Sequence, residues 1–208
     1  MASAAAEIAT ALRLAVAMRG AACAALSGGT TPAPAYRLLA AQNLPWAQIT
    51  FALVDERFVA PDHPASNERM LRQTLAPALA SGAGLLALFG QGGLNQRALE
   101  VDAIYKELRL DIAVMGMGED GHTASWFPGA LGDLLDLANP RTIAVVRAAN
   151  ASPIGERLTL TRAAIARAGR LLLLITGEEK RARLAQGEAP VQALFGPGMP
   201  PCQVLYAP

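Results

Sequence analysis

The densest group of reactive side chains lies between Asp111 and Pro128, in the segment DIAVMGMGEDGHTASWFP. Its apolar residues 112–115 have the length and character of a buried parallel strand. The glycines that follow allow the backbone to turn tightly, and Asp120 and His122 stand in this turn. Histidine changes charge close to neutral pH, and a carboxylate beside it can orient the ring. The segment therefore predicts general acid–base chemistry at the end of a strand.

A second candidate segment has the pattern of a phosphate-binding loop. The apolar residues 21–26 are followed by Ser27, Gly28, Gly29 and Thr30, and then by two prolines suited to the first turn of a helix. A strand, small residues and a helix start together collect backbone N–H groups that can bind a phosphate. An ordinary turn between a strand and a helix has the same composition, and this alternative stays open.

Three consecutive charges, Asp55, Glu56 and Arg57, end the predicted strand at residues 49–54. Charges at the end of a buried strand are costly unless they are solvated in a cleft or paired. We expect all three side chains to line a binding cleft, with Arg57 reaching the ligand and Asp55 fixing the geometry of the loop. A solvated strand end with a local ion pair is the competing interpretation.

Cations that could hold a phosphate stand at several positions. Lys180 follows the apolar run 171–176 and would act as a point charge. The forked guanidinium of Arg57 or Arg157 would bind phosphate oxygens in pairs. Arg147, before a loop that contains proline, is a weaker candidate.

Seven apolar runs alternate with helical segments, which predicts an α/β fold with an open, mainly parallel, Rossmann-like sheet flanked by helices on both faces. The runs are residues 21–26, 49–54, 85–89, 112–115, 142–146, 171–176 and 203–206. A short helix is predicted at residues 131–138. The carboxyl ends of parallel strands share one rim, where ligands bind in such sheets. Four segments are therefore predicted to converge on one site: residues 27–30, 55–57, 119–122 and 177–180.

Length and composition limit the alternatives. A chain of 208 residues predicts one domain, residues 1–208. A net charge of +1 argues against nucleic acid or an acidic membrane as the main partner, and no apolar run is long enough to span a membrane. The two cysteines, Cys23 and Cys202, stand in apolar runs, which favours reduced core residues of a cytoplasmic protein. Two histidines far apart and no paired cysteines do not predict a metal site.

The segment GMGEDGHTASWFPG resembles the signature of the 6-phosphogluconolactonases and, more loosely, that of the related glucosamine-6-phosphate deaminases. Three further regions fit the same family in the same order: SGGTTP at residues 27–32, VDERFV with HPASNERML between residues 54 and 71, and ERLTLT followed by TGEEK between residues 156 and 180. These regions are spread over most of the chain.

The resemblance implies hydrolysis of 6-phosphoglucono-1,5-lactone to 6-phosphogluconate, without cofactor or metal. His122 would be the general base and Asp120 its orienting partner. The substrate-binding residues would be Gly28, Gly29, Thr30, Asp55, Arg57, Arg157 and Lys180. The partner would be this sugar-phosphate lactone alone, and the protein would be a monomer or a small homo-oligomer.

Three other functions compete with the lactonase. The deaminases carry a Glu five residues after the His, where this sequence has Phe127, which cannot move a proton. A sugar-phosphate sensor would need an output module, and no DNA-binding helix pair flanks the domain. A dinucleotide site at the glycines 116–121 is disfavoured because Glu119 and Asp120 would repel a pyrophosphate.

Overall fold

The computed structural model describes residues 1–148 and 154–208, and its helices and strands lie within these two ranges. Asn150 and Pro153, in the loop expected after Arg147, lie outside the described residues. The strands are β1 Ala22–Leu26, β2 Ile49–Leu53, β3 Asp55–Arg57, β4 Gly84–Leu86, β5 Ile112–Gly116, β6 Ile143–Arg147, β7 Glu156–Leu160, β8 Leu171–Thr176 and β9 Cys202–Ala207. The α-helices are α1 Ala2–Arg19, α2 Ala33–Ala40, α3 Asn67–Thr74, α4 Ala76–Ala80, α5 Leu94–Lys106, α6 Arg162–Ile165 and α7 Glu178–Gln186, with short 3₁₀ helices at Trp46–Gln48 and Pro190–Leu194.

Within the described residues, six strands form a parallel sheet in the order β4-β2-β1-β5-β8-β9. The chain builds the sheet outward from β1 on one side and, after α5, from β5 on the other side. This reversal between β1 and β5 is the switch point at which α/β sheets open a crevice outside the carboxyl ends of their strands. The predicted α/β fold with an open, mainly parallel sheet is confirmed.

The central strands have no polar face. β1 is buried along its whole length, and β8 is buried from Leu171 to Ile175. Such strands must be covered on both sides, and α1 packs against β1 and β5 with Ile8 and Leu12 fully buried. No helix of the described part of the chain is both long enough and apolar enough to cross a membrane.

A second sheet, which the sequence does not predict, contains three antiparallel strands in the order β3-β7-β6. It meets the parallel sheet at Val54, whose N–H donates to Leu26 O and whose carbonyl accepts from Leu160 N. The run 142–146, predicted to lie in the parallel sheet, forms β6 in this second sheet. The charged residues Asp55–Arg57, predicted as the polar end of a strand, are a strand themselves because they pair with β7.

The helix predicted at residues 131–138 is absent, and this segment forms turns. Gly132 has φ +45°, which interrupts a right-handed helix. The carbonyls of Leu134 and Leu135 accept hydrogen bonds from the backbone N–H and the guanidinium of Arg162. These carbonyls would otherwise serve as acceptors in the helix, so the tertiary contact replaces the local one.

Candidate active site

The loop after β1, the end of β5 with the turn after it, and residues of β3, β7 and α7 border a cleft of about 680 Å³, its open mouth included. The lining residues are Ser27, Gly28, Gly29, Thr30, Thr31, Pro32, Asp55, Arg57, Asn67, Gly116, Met117, Gly118, His122, Thr123, Ala124, Arg157 and Lys180. The residues predicted individually as catalytic or substrate-binding all border this cleft except Asp120, which contacts it through His122.

His122 and Asp120 form a hydrogen-bonded pair in the turn after β5. Nδ1 of His122 lies 2.5 Å from Oδ1 of Asp120, and the same oxygen accepts from the His122 backbone N–H at 3.1 Å. The turn is closed by a hydrogen bond from Gly118 N to His122 O, 2.8 Å long. A Cβ at Gly118 would overlap the imidazole, and Gly121 has φ +83°, so the turn requires both glycines.

The charge of Asp120 is stabilised by the neighbouring histidine. Partial burial disfavours the ionised carboxyl, but the hydrogen bonds from the backbone and the ring of His122 outweigh burial, so the pKa of Asp120 lies below its ordinary value. An ionised Asp120 favours the tautomer in which Nδ1 of His122 carries the proton and Nε2 has a free lone pair. This arrangement is chemically suited to a general base.

The loop after β1 brings its backbone to the cleft because its residues are small. Gly29 has φ +96°, a conformation that L-residues with a side chain rarely adopt. The side chain of Asn67 occupies the space that a Cβ at Gly28 would need. Ser27 also borders the cleft, and its Oγ is buried with no hydrogen-bond partner within residues 1–148 and 154–208.

The cations that border the cleft are Lys180, Arg57 and Arg157. Lys180 lies in the first turn of α7, and Arg157 on β7 is buried. Burial lowers the pKa of Arg157 relative to its ordinary value, and the charge of Asp55 opposes this shift. Arg147 pairs with Glu156 at 3.4 Å and lies outside the lining. Among the described residues, no three His, Cys, Asp or Glu side chains are grouped as a metal site would require.

A network of hydrogen bonds orients Asp55 and Arg57. Ser125 Oγ donates to Asp55 Oδ2 at 2.6 Å, and Asn67 Nδ2 donates to the carbonyl of Asp55 at 2.9 Å. Asn67 Oδ1 accepts from Nη1 of Arg57 at 2.6 Å. Arg157 Nη1 lies 3.9 Å from Asp55 Oδ2. Asp55 therefore ties together residues from β3, β7, α3 and the turn after β5.

Glu56 corrects the expectation that all three charges of the triplet line the site. Side chains alternate along a strand, so Glu56 points away from the cleft and is 1% exposed. Its carboxylate accepts from Ser66 Oγ and from the backbone N–H groups of Asn67 and Glu68, at 2.7 to 3.0 Å. Glu56 thus caps the first turn of α3 and holds Asn67 at the cleft.

Sequence reasoning missed Asn67 and Ser125, and it did not foresee the contacts of Phe127. Asn67 and Ser125 bond to Asp55 from 12 and 70 residues away along the chain, a distance that no local pattern reveals. The Phe127 ring centroid lies 4.4 Å from that of His122. The one signal in the sequence is that all three residues stand in the conspicuous segments HPASNERML and GHTASWFPG.

Comparison with known proteins extends the similarity over almost the whole chain. The family described as glucosamine-6-phosphate isomerases/6-phosphogluconolactonase matches residues 1–205. A 6-phosphogluconolactonase of Mesorhizobium japonicum is 40% identical over 97% of this chain and 88% of that protein. One of Rhizobium meliloti is 37% identical over 97% and 91%. The crystal structure of a 6-phosphogluconolactonase from Shewanella baltica matches with a TM-score of 0.87 and 31% identity, over 97% of this chain and 90% of that one.

Proposed function

The chain belongs to the glucosamine-6-phosphate isomerase/6-phosphogluconolactonase family, and we propose that it hydrolyses 6-phosphoglucono-1,5-lactone to 6-phosphogluconate. One observation carries the proposal. His122, which is bonded to Asp120, borders the same cleft as the Gly28–Thr30 loop and Lys180. A base and a phosphate anchor in one cleft suit a phosphorylated sugar lactone, and relatives at 37–40% identity are named for this activity.

In the proposed reaction, His122 activates water. Nε2 of the neutral ring takes a proton from a water molecule as its oxygen attacks the C1 carbonyl of the lactone. Asp120 bonds to Nδ1–H and stabilises the imidazolium that forms. The tetrahedral intermediate then collapses, the bond from C1 to the ring oxygen breaks, and Nε2 returns the proton to that oxygen. The product is the open-chain acid, and the histidine is neutral again.

The phosphate of the substrate is held in the same cleft by the loop after β1 and by Lys180. Backbone N–H groups of Gly28, Gly29 and Thr30 donate to its oxygens, and Lys180 supplies a positive charge. Arg157 is the better candidate for the guanidinium contact, because its one hydrogen bond within the described residues uses Nε, whereas Nη1 of Arg57 donates to both Asn67 and the carbonyl of Ala65. Arg57 then acts mainly by ordering this side of the cleft.

A deaminase reaction is the competing activity. The deaminases use a Glu five residues after the His to help open the ring of the amino sugar. Here that position is Phe127, which is apolar and 4% exposed. No other acid of the predicted set stands at that place, so the cleft favours lactone hydrolysis.

The decisive experiment is a pair of assays on purified protein. Lactone hydrolysis is followed by coupling 6-phosphogluconate to its NADP-linked dehydrogenase, with the spontaneous rate subtracted. Glucosamine 6-phosphate is incubated in parallel and assayed for ammonia. Turnover of the lactone without ammonia release is expected. Ammonia release would assign the deaminase reaction, and binding of 6-phosphogluconate without any turnover would assign a non-catalytic sugar-phosphate sensor.

A further inference from the structure

We propose that Phe127 is a positioning residue that fixes the orientation of the His122 imidazole, a role that rests on the proposed function of His122 as the base. The imidazole has contacts on three sides. Asp120 bonds to Nδ1, Cε1 and Nδ1 occupy the space that a Cβ at Gly118 would need, and the Phe127 ring centroid lies 4.4 Å from that of the imidazole, at an interplanar angle of 41°. The hydrogen bond to Asp120 fixes the position of Nδ1, and the aromatic contact also limits the tilt of the ring, which sets the direction of Nε2.

The Phe127 ring is itself held rigidly. Trp126, beside it in the chain, is fully buried, and its Nε1–H donates to Leu160 O at 2.9 Å. A tight turn precedes the two aromatic residues, with a hydrogen bond of 3.0 Å from Trp126 N to Thr123 O. Ala124 within this turn has φ +50°, a strained conformation that persists only where the surroundings impose it. The backbone therefore delivers Phe127 to one defined place beside the base.

The Phe127 ring also contacts the guanidinium of Arg157. Cζ of Arg157 lies 4.9 Å from the ring centroid, within the range of a cation–π interaction. Arg157 is anchored by a hydrogen bond of 3.1 Å from Nε to Ile154 O and by Asp55. The aromatic ring thus lies in contact with both a permanent cation and the proposed base, and it links the position of the base to the buried Asp55–Arg157 pair.

A role in core packing alone makes a different prediction. Phe127 is buried, so its replacement by a smaller apolar residue lowers stability in either case. If packing were its only role, each folded molecule would keep its turnover number. If Phe127 positions the base, kcat falls while affinity for the product is kept, because misplacement of a catalytic group by about 1 Å can cost up to about 10²-fold in rate.

The test compares Phe127→Leu, which removes the ring, with Phe127→Tyr, which keeps it. Phe51→Leu is the matched control, since Phe51 is fully buried in β2 and lies outside the cleft lining. We expect kcat of Phe127→Leu to fall by at least about 10-fold. The Kd for 6-phosphogluconate should change far less, because Arg157 keeps its hydrogen bond to Ile154 O and its contact with Asp55. Phe127→Tyr should recover most of kcat, and Phe51→Leu should lose stability without losing kcat.

Imidazole NMR gives a readout that does not depend on activity. The chain has two histidines, so His63→Gln assigns the signals of His122. The Nδ1–H proton of His122 should be protected in the parent and in Phe127→Tyr, and exchange-broadened in Phe127→Leu. Unchanged kcat and Nδ1–H protection in Phe127→Leu, or an equal loss of kcat in Phe51→Leu, would overturn the proposal. If the parent does not hydrolyse the lactone, the proposed function fails, and the Nδ1–H signal alone decides whether Phe127 orients His122.

Discussion

His122 carries both proton transfers of the proposed reaction, because Nε2 remains available while Nδ1 is bonded to Asp120. His122→Gln removes the basic nitrogen and keeps a polar side chain, so hydrolysis of 6-phosphogluconolactone is expected to fall by about 10²-fold or more. The side chain is 28% exposed and contributes little to the core, so the melting temperature and the Kd for 6-phosphogluconate should stay close to those of the parent. Steady-state kinetics measure the rate of hydrolysis, thermal unfolding gives the melting temperature, and calorimetric titration gives the Kd.

The other histidine provides the control for this substitution. His63 lies in an exposed turn where its Nδ1 accepts from Ala65 N at 3.0 Å, and His63→Gln should keep full activity. Spontaneous hydrolysis of the lactone must be measured and subtracted in every case. A folded His122→Gln protein that binds 6-phosphogluconate and works within about threefold of the parent would show that another group is the base.

Lys180 is expected to act on the phosphate and not on the lactone ring. A charge-assisted hydrogen bond contributes about 1.5–3 kcal/mol, so Lys180→Ala should lower kcat/KM for the phosphorylated lactone by about 10- to 150-fold. Unphosphorylated gluconolactone lacks the group that Lys180 binds, and its slower hydrolysis should change little. The comparison of the two substrates on one variant is the measurement.

Arg181→Ala is the matched variant for Lys180→Ala. Arg181 stands on the same helix, α7, but it contacts Glu178 and the ring of Tyr206 and lies outside the cleft lining. Its loss should leave both substrates unaffected. Equal losses on both substrates in Lys180→Ala would mean that Lys180 supports the fold of the site and does not bind phosphate.

The loop after β1 and the start of α3 fit together at Gly28. A Cβ at this position would overlap the amide of Asn67, which is bonded to both Asp55 and Arg57. Gly28→Ala must therefore displace Asn67 or the loop, and overpacking of this kind typically costs about 1–3 kcal/mol. We expect a lower free energy of unfolding, measured in urea, and a higher KM for the phosphorylated lactone.

A double-mutant cycle separates this overlap from other effects of the new methyl group. Asn67→Ala alone loses the bonds to Asp55 and Arg57 but leaves room for a Cβ at Gly28. If the overlap is the cause, adding Gly28→Ala to Asn67→Ala costs almost nothing further, so the two losses are not additive. Additive losses would locate the damage in the loop backbone itself.

The elements that can be predicted from the sequence are those whose pattern is local. β1 and β8 are continuous apolar runs, and each is followed by a polar or glycine-rich segment that borders the cleft. β3 could not be predicted, because its three charged residues are stabilised by partners distant in the chain. Ser125 bonds to Asp55 across 70 residues, and Ser66 bonds to Glu56 across 10. For the same reason the sequence predicts Asp55 at the site but does not predict its partners.

The whole molecule brings two sheets together around one cleft. The parallel sheet supplies the loop after β1, the His122–Asp120 pair and Lys180, while the antiparallel sheet supplies Asp55, Arg57 and Arg157. Neither sheet contains all the groups of the proposed site. The relative placement of the sheets therefore determines the distance between the proposed base and the phosphate anchor.

Glu56 joins β3 of the antiparallel sheet to the start of α3. Burial raises the pKa of Glu56 above its ordinary value, although hydrogen bonds from Asn67, Glu68 and Ser66 oppose the shift. The folded protein then holds the proton more tightly than the unfolded chain does. The stability linked to this proton is fully present below the unfolded pKa of about 4.3, and it is lost as pH rises through the higher folded value.

The consequence can be measured as a difference between two stability curves. Glu56→Gln cannot ionise, and it loses one acceptor for the α3 cap at every pH. If Glu56 of the parent did not titrate, the difference in free energy of unfolding between the two proteins would therefore not change with pH. We expect the free energy of unfolding of the parent to fall relative to that of Glu56→Gln as pH rises above about 4.3, by no more than about 1.4 kcal/mol per pH unit, the limit for one proton. The difference should level off above the folded pKa. Glu107→Gln, at an exposed position, shows what removing a surface carboxylate does by itself. A difference that rises with pH would mean that the hydrogen bonds to Glu56 outweigh its burial.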